Sequence, residues 1–247
     1  MSRTLVFAGR NRKELLRDPL NVAFALGFPL VVMLLLTAIQ ANVPVALFQI
    51  EAIAPGLAVF GLSFISLFSG QLVAKDRSSA FLTRLYASPM RGSDFIMGYV
   101  LPLVPLSVLQ SAICFALAVA LGLPFSFRIL LVLLAYVLVA VLFIGIGLLA
   151  GSLLTDKQAG GICGALLTNL SAWLSGTWFD LSMVGGAFER VAYCLPFAHA
   201  NDLGKAILAG EYAKIFPHIW WVLGYACGIM ALAIWAFRRK MKTENNA

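Results

Sequence analysis

Few residues in this chain are of types that do chemistry. His199 and His218 are its only imidazoles, and Cys114, Cys163, Cys194 and Cys227 its only thiols. Such groups can hold a metal or pair as nucleophile and base. Zinc chemistry needs ligands two to four residues apart in a Cys pair, or three to five in a His pair. No two cysteines come that close, and neither histidine has a Cys or carboxylate partner at ligand spacing. The cysteines read as small buried hydrophobes. No metal site and no catalytic residue is expected. A phosphate cradle needs G-x-x-x-x-G-K-[ST]. The one Gly-Lys pair, Gly204-Lys205, is followed by Ala206 and has His199 where the first glycine belongs. The chain is not expected to bind ATP, or any cofactor, itself.

The elements around these residues are long and apolar. Of 247 residues, 61% are hydrophobic and 12% charged, where a soluble domain carries roughly 25% charge. That composition belongs in a bilayer. The net charge of +7 sits between apolar runs, as topology signals do. No basic patch is interleaved with exposed aromatics, so no nucleic-acid partner is expected. A span takes about 20 residues, and charged residues fence off six, at about 20–39, 53–74, 97–121, 129–151, 158–179 and 216–237. Fourteen of the eighteen Lys and Arg residues fall on one face. By the positive-inside rule that face is cytoplasmic, with both termini on it. The first apolar run is too long for a signal peptide and lacks a cleavage site.

The spans hold no Asp, Glu, Lys, Arg or His at their centres. Ion-coupled transporters usually place such groups there, so the chain is expected to lack its own energy source. Sodium bound by carbonyls at broken helices keeps an ion-coupled secondary transporter, using Pro102 and Pro105, as an alternative. A non-catalytic membrane assembly factor is another. Mildly polar residues remain. Ser63, Ser66, Gln110 and Asn169 either line a path for an amphipathic solute or bond between helices. Gly147/Gly151, Gly160/Gly164 and Gly224/Gly228 are spaced for close helix approach.

Two amphipathic stretches complete the plan. Over residues 5–17, Leu5, Ala8, Gly9, Leu15 and Leu16 share one arc and Arg10, Lys13 and Arg17 another, which predicts an interfacial helix. Between the second and third spans, "KDRSSAFLTRLYASPMRGSDF" is the one long polar insert. Asp76 or Ser78 is placed to cap a short helix that Pro89 ends. Phe81, Leu82, Leu85 and Tyr86 share one of its faces. An exposed apolar and cationic ridge of this kind is a docking surface.

The insert carries a family resemblance. "DRSSAFLTRLYASP" resembles the segment after the second span of ABC-2 type exporter permeases, with Asp76, Arg77, Leu82, Arg84, Leu85, Ala87, Ser88 and Pro89 matching and Ser78, Ala80 and Phe81 departing. "SGTWFDL" and "VAYCLPFAHANDLGKAILAG" resemble that family's outer segment, through Gly176, Phe179, Pro196, His199 and Asp202. The resemblance implies an all-α integral membrane protein of one domain over 1–247. It would have six transmembrane helices, an interfacial N-terminal helix, a cytoplasmic coupling helix and an outer re-entrant hairpin. It implies a dimer, of two copies or with a sibling, driven by a separate ABC ATP-binding subunit that holds ATP and Mg. That subunit would grip Asp76, Arg77, Phe81, Leu82, Arg84, Leu85 and Pro89. The setting implied is a bacterial plasma membrane, and the task ATP-driven export of an amphipathic or lipid-like compound.

Overall fold

The computed structural model describes residues 3–43, 48–79, 81, 90 and 92–244, the side chains of 20, 21, 92, 93 and 240–244 excepted. Among them every regular element is helical. Hydrocarbon explains this, because a helix satisfies its own backbone hydrogen bonds where no water can. In chain order the elements are α1 (Arg3–Leu16), α2 (Pro19–Asn42), α3 (Ile50–Ser78), α4 (Gly92–Ala120) and α5 (Phe127–Leu153). A helical stretch of three pieces follows: α6 (Asp156–Gly161), a π-helical segment (Ile162–Leu167) and α7 (Thr168–Leu174). Then come α8 (Leu181–Val184), α9 (Gly186–Cys194), α10 (Pro196–Ala209) and α11 (Tyr212–Glu244).

Five of these, α2, α3, α4, α5 and α11, are long and apolar enough to cross a membrane. The stretch expected to be one span at 158–179 is broken instead into pieces of six, six and seven residues. The Thr168 hydroxyl donates to the Cys163 carbonyl five residues back, at 3.0 Å, in keeping with π winding. Thr155 and Gln158 form a reciprocal capping box that starts α6, a pairing that satisfies two otherwise free backbone donors.

The centre of the bundle is α3. It packs on α5, α4, α2, α10 and the broken helix. In its most apolar window 89% of residues are buried, against 22% in α2 and in α11. The α3–α5 seam is close because Gly147 and Gly151 face it. A Cβ on Gly147 would overlap the Ser69 hydroxyl and the Ser66 carbonyl, and one on Gly151 the Gly70 carbonyl. Across this seam Ser69 Oγ donates to the Ile144 carbonyl at 3.1 Å. Gly224 and Gly228 have nothing within 4 Å of their would-be Cβ atoms, so that pair makes no seam among the described residues.

The bundle has two distinguishable ends. At one, Phe7 of α1, Phe95 of α4 and Phe237 of α11 form a chain of ring contacts, with centroids 6.0 and 5.8 Å apart. The N-terminal helix and the end of α11 therefore share an end. At the other end, Arg128 of α5 reaches α10, and His218 of α11 meets His199.

The seam yields a stability prediction. Gly147→Ala should destabilise the protein by about 1–3 kcal/mol, the usual effect of overpacking. Gly224→Ala should be neutral or slightly stabilising, since a helix gains from the exchange. Thermal unfolding of the two variants in mild detergent measures the difference.

Candidate functional site

The polar insert leaves α3 at the α1 end of the bundle, and there the structure concentrates its charged contacts. Helix α3 does not stop at Lys75. It runs through Ser78, so Asp76 and Ser78 are not caps of a following helix. The Ser78 hydroxyl bonds back to the Lys75 carbonyl at 3.0 Å. The Asp76 side chain is 3% exposed and points inward. Its Oδ2 accepts from Arg10 Nη1 at 2.6 Å and from the Tyr99 hydroxyl at 2.9 Å. One carboxylate thus joins α1, α3 and α4. A charge removed from water needs such partners, because burial without them costs several kcal/mol.

Helix α1 is positioned to make this contact by a buried face that sequence reasoning placed differently. Phe7, Ala8, Asn11 and Leu15 are buried, whereas Leu5 and Leu16 are 55% and 63% exposed. The expected arc missed Asn11 because it is polar. Its amide nevertheless donates to the Gly98 carbonyl at 3.0 Å, which satisfies it. Phe7 fits over Gly98 because that residue has no Cβ to meet its ring. The Phe7 ring sits edge-on to Tyr99, 5.0 Å away. Thr4 Oγ1 donates to Asp94 at 3.0 Å. Helix α1 is therefore bonded to both ends of the insert, through Asp76 at its start and Asp94 at its finish.

Arg77 turns to the opposite side. Its Nη1 donates to the carbonyls of Gly151 and Leu154, at 2.7 and 3.1 Å. Those carbonyls end α5, where a cation meets the negative end of the helix dipole. Asp76 and Arg77 together pin the last turn of α3 to α1, α4 and α5. Phe81 stands against α1, its ring 4.3 Å from the Arg10 guanidinium and 6.3 Å from Phe7. Leu82, Arg84, Leu85 and Pro89, expected in the docking ridge, lie outside the described residues, as does Tyr86.

The four residues expected on a path occupy two environments. Ser63, Ser66 and Gln110 are fully buried. The two serines donate to the Phe60 and Ser63 carbonyls of their own helix, both at 2.6 Å. Gln110 Nε2 contacts Cys114 Sγ at 3.2 Å. Asn169 is exposed and donates to the Ala165 carbonyl at 2.7 Å.

The remaining sequence candidates gather at the far end. Gly176 takes a φ of +68° in the turn after α7, a conformation open to glycine. Phe179 packs between Trp173 and Phe188, with ring centroids 6.4 and 5.9 Å away. Pro196 opens α10. Asp202 Oδ2 accepts from the Tyr193 hydroxyl at 3.1 Å. His199 stacks on Trp221 at 4.9 Å. Its Nε2 lies 3.0 Å from the Tyr193 carbonyl, and its Nδ1 lies 2.8 Å from His218 Nδ1. A carbonyl only accepts, so Nε2 carries the proton; neutral His199 then accepts at Nδ1 and His218 Nδ1 donates. Burial holds the His199 pKa below its ordinary 6.5, helped by His218 and opposed by the Tyr193 carbonyl. Arg10, Asn11, Tyr99 and the His199–His218 pairing were not expected, since their partners are far away in sequence.

The family model described as ABC-2 type transporter matches residues 3–208. No curated protein matches the chain.

Two predictions come from this geometry. Arg10→Ala leaves the Asp76 carboxylate buried without its cation. Breaking a buried pair costs about 3–5 kcal/mol; Arg10 is 35% exposed, which reduces the expected loss to about 2–3 kcal/mol. Asp76→Asn leaves a guanidinium that water can reach, and should cost less, about 1 kcal/mol. Denaturant unfolding in detergent measures the order of the two. The second concerns pH. A His pKa lowered by folding means the unfolded chain binds more protons, so this contribution to stability falls as pH drops below 6.5. The loss of Tm on going from about pH 7.5 to about 5.5 should be smaller in His199→Gln than in the natural protein.

Proposed function

The chain belongs to the ABC-2 type transporter family, whose model covers residues 3–208 of its 247, and from that premise we propose that it is the membrane subunit of an ATP-driven exporter. It is a transport permease with helices apolar enough for a bilayer. In this reading the five long helices and the broken helix over 156–174 make six crossings. At 1.5 Å per residue the broken helix is about 28 Å long, close to the roughly 30 Å of a hydrocarbon core. Both termini then lie in the cytoplasm, and α8 to α10 form the outer re-entrant segment.

A separate ABC ATP-binding subunit, holding ATP and Mg, grips the insert over residues 77–89. One observation carries the proposal: the last turn of α3 is bonded through Asp76 to α1 and α4 and through Arg77 to the end of α5. In this reading a push that reaches the last turn of α3 is passed on through those bonds. It is delivered to three membrane elements and to α1 together. This assigns Asp76 and Arg77 to anchoring the lever and leaves Phe81, Leu82, Arg84 and Leu85 as its gripping surface.

Two permease chains, alike or sibling, enclose the path. Helices α2 and α11 are mostly unburied within one chain, which leaves apolar surface for a second chain or for lipid. The substrate is amphipathic or lipid-like, because span centres without fixed charge give no site for a small ion. The setting is a bacterial plasma membrane.

Co-purification tests the reading. A tagged ABC ATPase should retain the natural chain and lose most of it on Arg84→Glu or Phe81→Asp, with detergent unfolding of the free chain changed little by Arg84→Glu. Equal retention of all three chains would remove the docking claim.

A further inference from the structure

The end of the bundle remote from α1 carries a cleft of about 520 Å³. Its walls come from three places: the start of α3 with Glu51, the turn before α5 with Leu123 and Ser126, and Arg128 facing Lys205 and Leu208 of α10. The chain has few cations at this end, so two of them on one cleft is a notable concentration. Arg128 is held in place. Its Nη1 donates to the Leu208 carbonyl at 2.9 Å and the guanidinium lies against Gly210. That bond occupies one N–H of five and leaves the others free to donate. Lys205 is half-buried, with Asp180 and Asp202 lining a separate pocket on its other side. Among the described residues neither Lys205 nor Glu51 makes a hydrogen bond or a close ion pair, although the Lys205 charge also acts on Asp180 and helps lower its pKa.

The surroundings indicate what kind of ligand fits. Beside the cleft Phe125 and Phe127 are 85% and 71% exposed. Below them on α5, Leu130 and Leu134 are also exposed. Positions 127, 130 and 134 follow the three-and-four spacing of one helix face. The cleft, apolar over most of its lining but carrying three charged side chains, thus lies next to an exposed apolar stripe that leads away from it along α5. A water-soluble anion would use the cleft and leave the stripe idle. A lipid uses both.

We propose that this cleft binds the headgroup of a zwitterionic glycerophospholipid. The phosphodiester is held by Arg128 and Lys205, the ammonium by Glu51, and an acyl chain lies along Phe127, Leu130 and Leu134. Charge-assisted hydrogen bonds to phosphate are the strong ones. The opposed carboxylate sets the preference for an amine-bearing headgroup over one that is only anionic.

The test is native mass spectrometry of the full chain released from nanodiscs holding equal amounts of dioleoyl phosphatidylethanolamine and dioleoyl phosphatidylglycerol. Arg128 also braces α10, so the variants are Lys205→Gln and Glu51→Gln. The natural chain should retain the ethanolamine lipid in preference. Lys205→Gln should weaken that retention about tenfold, the worth of one charged hydrogen bond. Glu51→Gln should abolish the preference while keeping binding of both lipids. Unchanged retention in Lys205→Gln, or an unchanged preference in Glu51→Gln, overturns the proposal. Equally tight binding of chain-free glycerophosphoethanolamine overturns the lipid assignment. No ATPase or transport enters the measurement, so its failure leaves the permease reading intact.

Discussion

A carboxylate at the base of the most buried helix sets the terms for this molecule. Asp76 is nearly inaccessible, and a lone buried charge is not tolerated. It must therefore recruit a cation and a hydroxyl, and it takes them from two other helices. The partners arrive at a fixed place because packing delivers them: Phe7 seats α1 over Gly98, and α4 presents Tyr99 beside it. Loss of any one of these contacts unbalances the others. The charge gives the contact its direction, and the aromatic packing gives it rigidity.

The same helix end carries Arg77 in the next position, facing the other way. Successive residues on a helix point about 100° apart, so an acidic-basic pair can hold neighbours on two sides of one turn. Here it holds α1 and α4 with one side chain and the end of α5 with the other. Further along, α3 and α5 are locked by the glycine-serine seam. In hydrocarbon, where apolar packing lacks the drive it has in water, close backbone approach and interhelical hydrogen bonds do this work. The outcome is a stiff central pair of helices with a charged clasp at one end. In the proposed reading, where a partner drives the chain from the α1 end, such stiffness carries a push from that end toward the far one.

Much of the fold was legible in the sequence because a bilayer imposes simple rules. Charges such as Asp18, Glu51, Arg128 and Asp156 fence apolar runs, and the helices α2 to α5 and α11 fall where those fences put them. The stretch at 156–174 was harder. Its glycines and Thr168 allow π winding, and hydropathy alone does not register a local change of helical pitch. The clasp was legible only in part. The Asp76-Arg77 pair stood out as polar residues in the insert, but nothing local indicates that Asp76 points inward. Its cation, Arg10, lies 66 residues away. The buried face of α1 was misread because an amphipathic arc counts apolar side chains, and Asn11 is buried as a satisfied amide. The spacing of His199 and His218 argues against a ligand set, yet a spacing test does not look for one imidazole bonding another.

The central claim is that α1, the end of α3 and the start of α4 move as one body around Asp76. Spin labels on the exposed residues Arg12 of α1 and Met97 of α4 test it directly, by pulsed dipolar distance measurement on the permease with its ATPase, nucleotide-free and ATP-bound. The account predicts one narrow distance that is the same in both states, and a broadened distribution once Asp76 is replaced by Asn. A distance that shifts between the two states in the natural protein would contradict it.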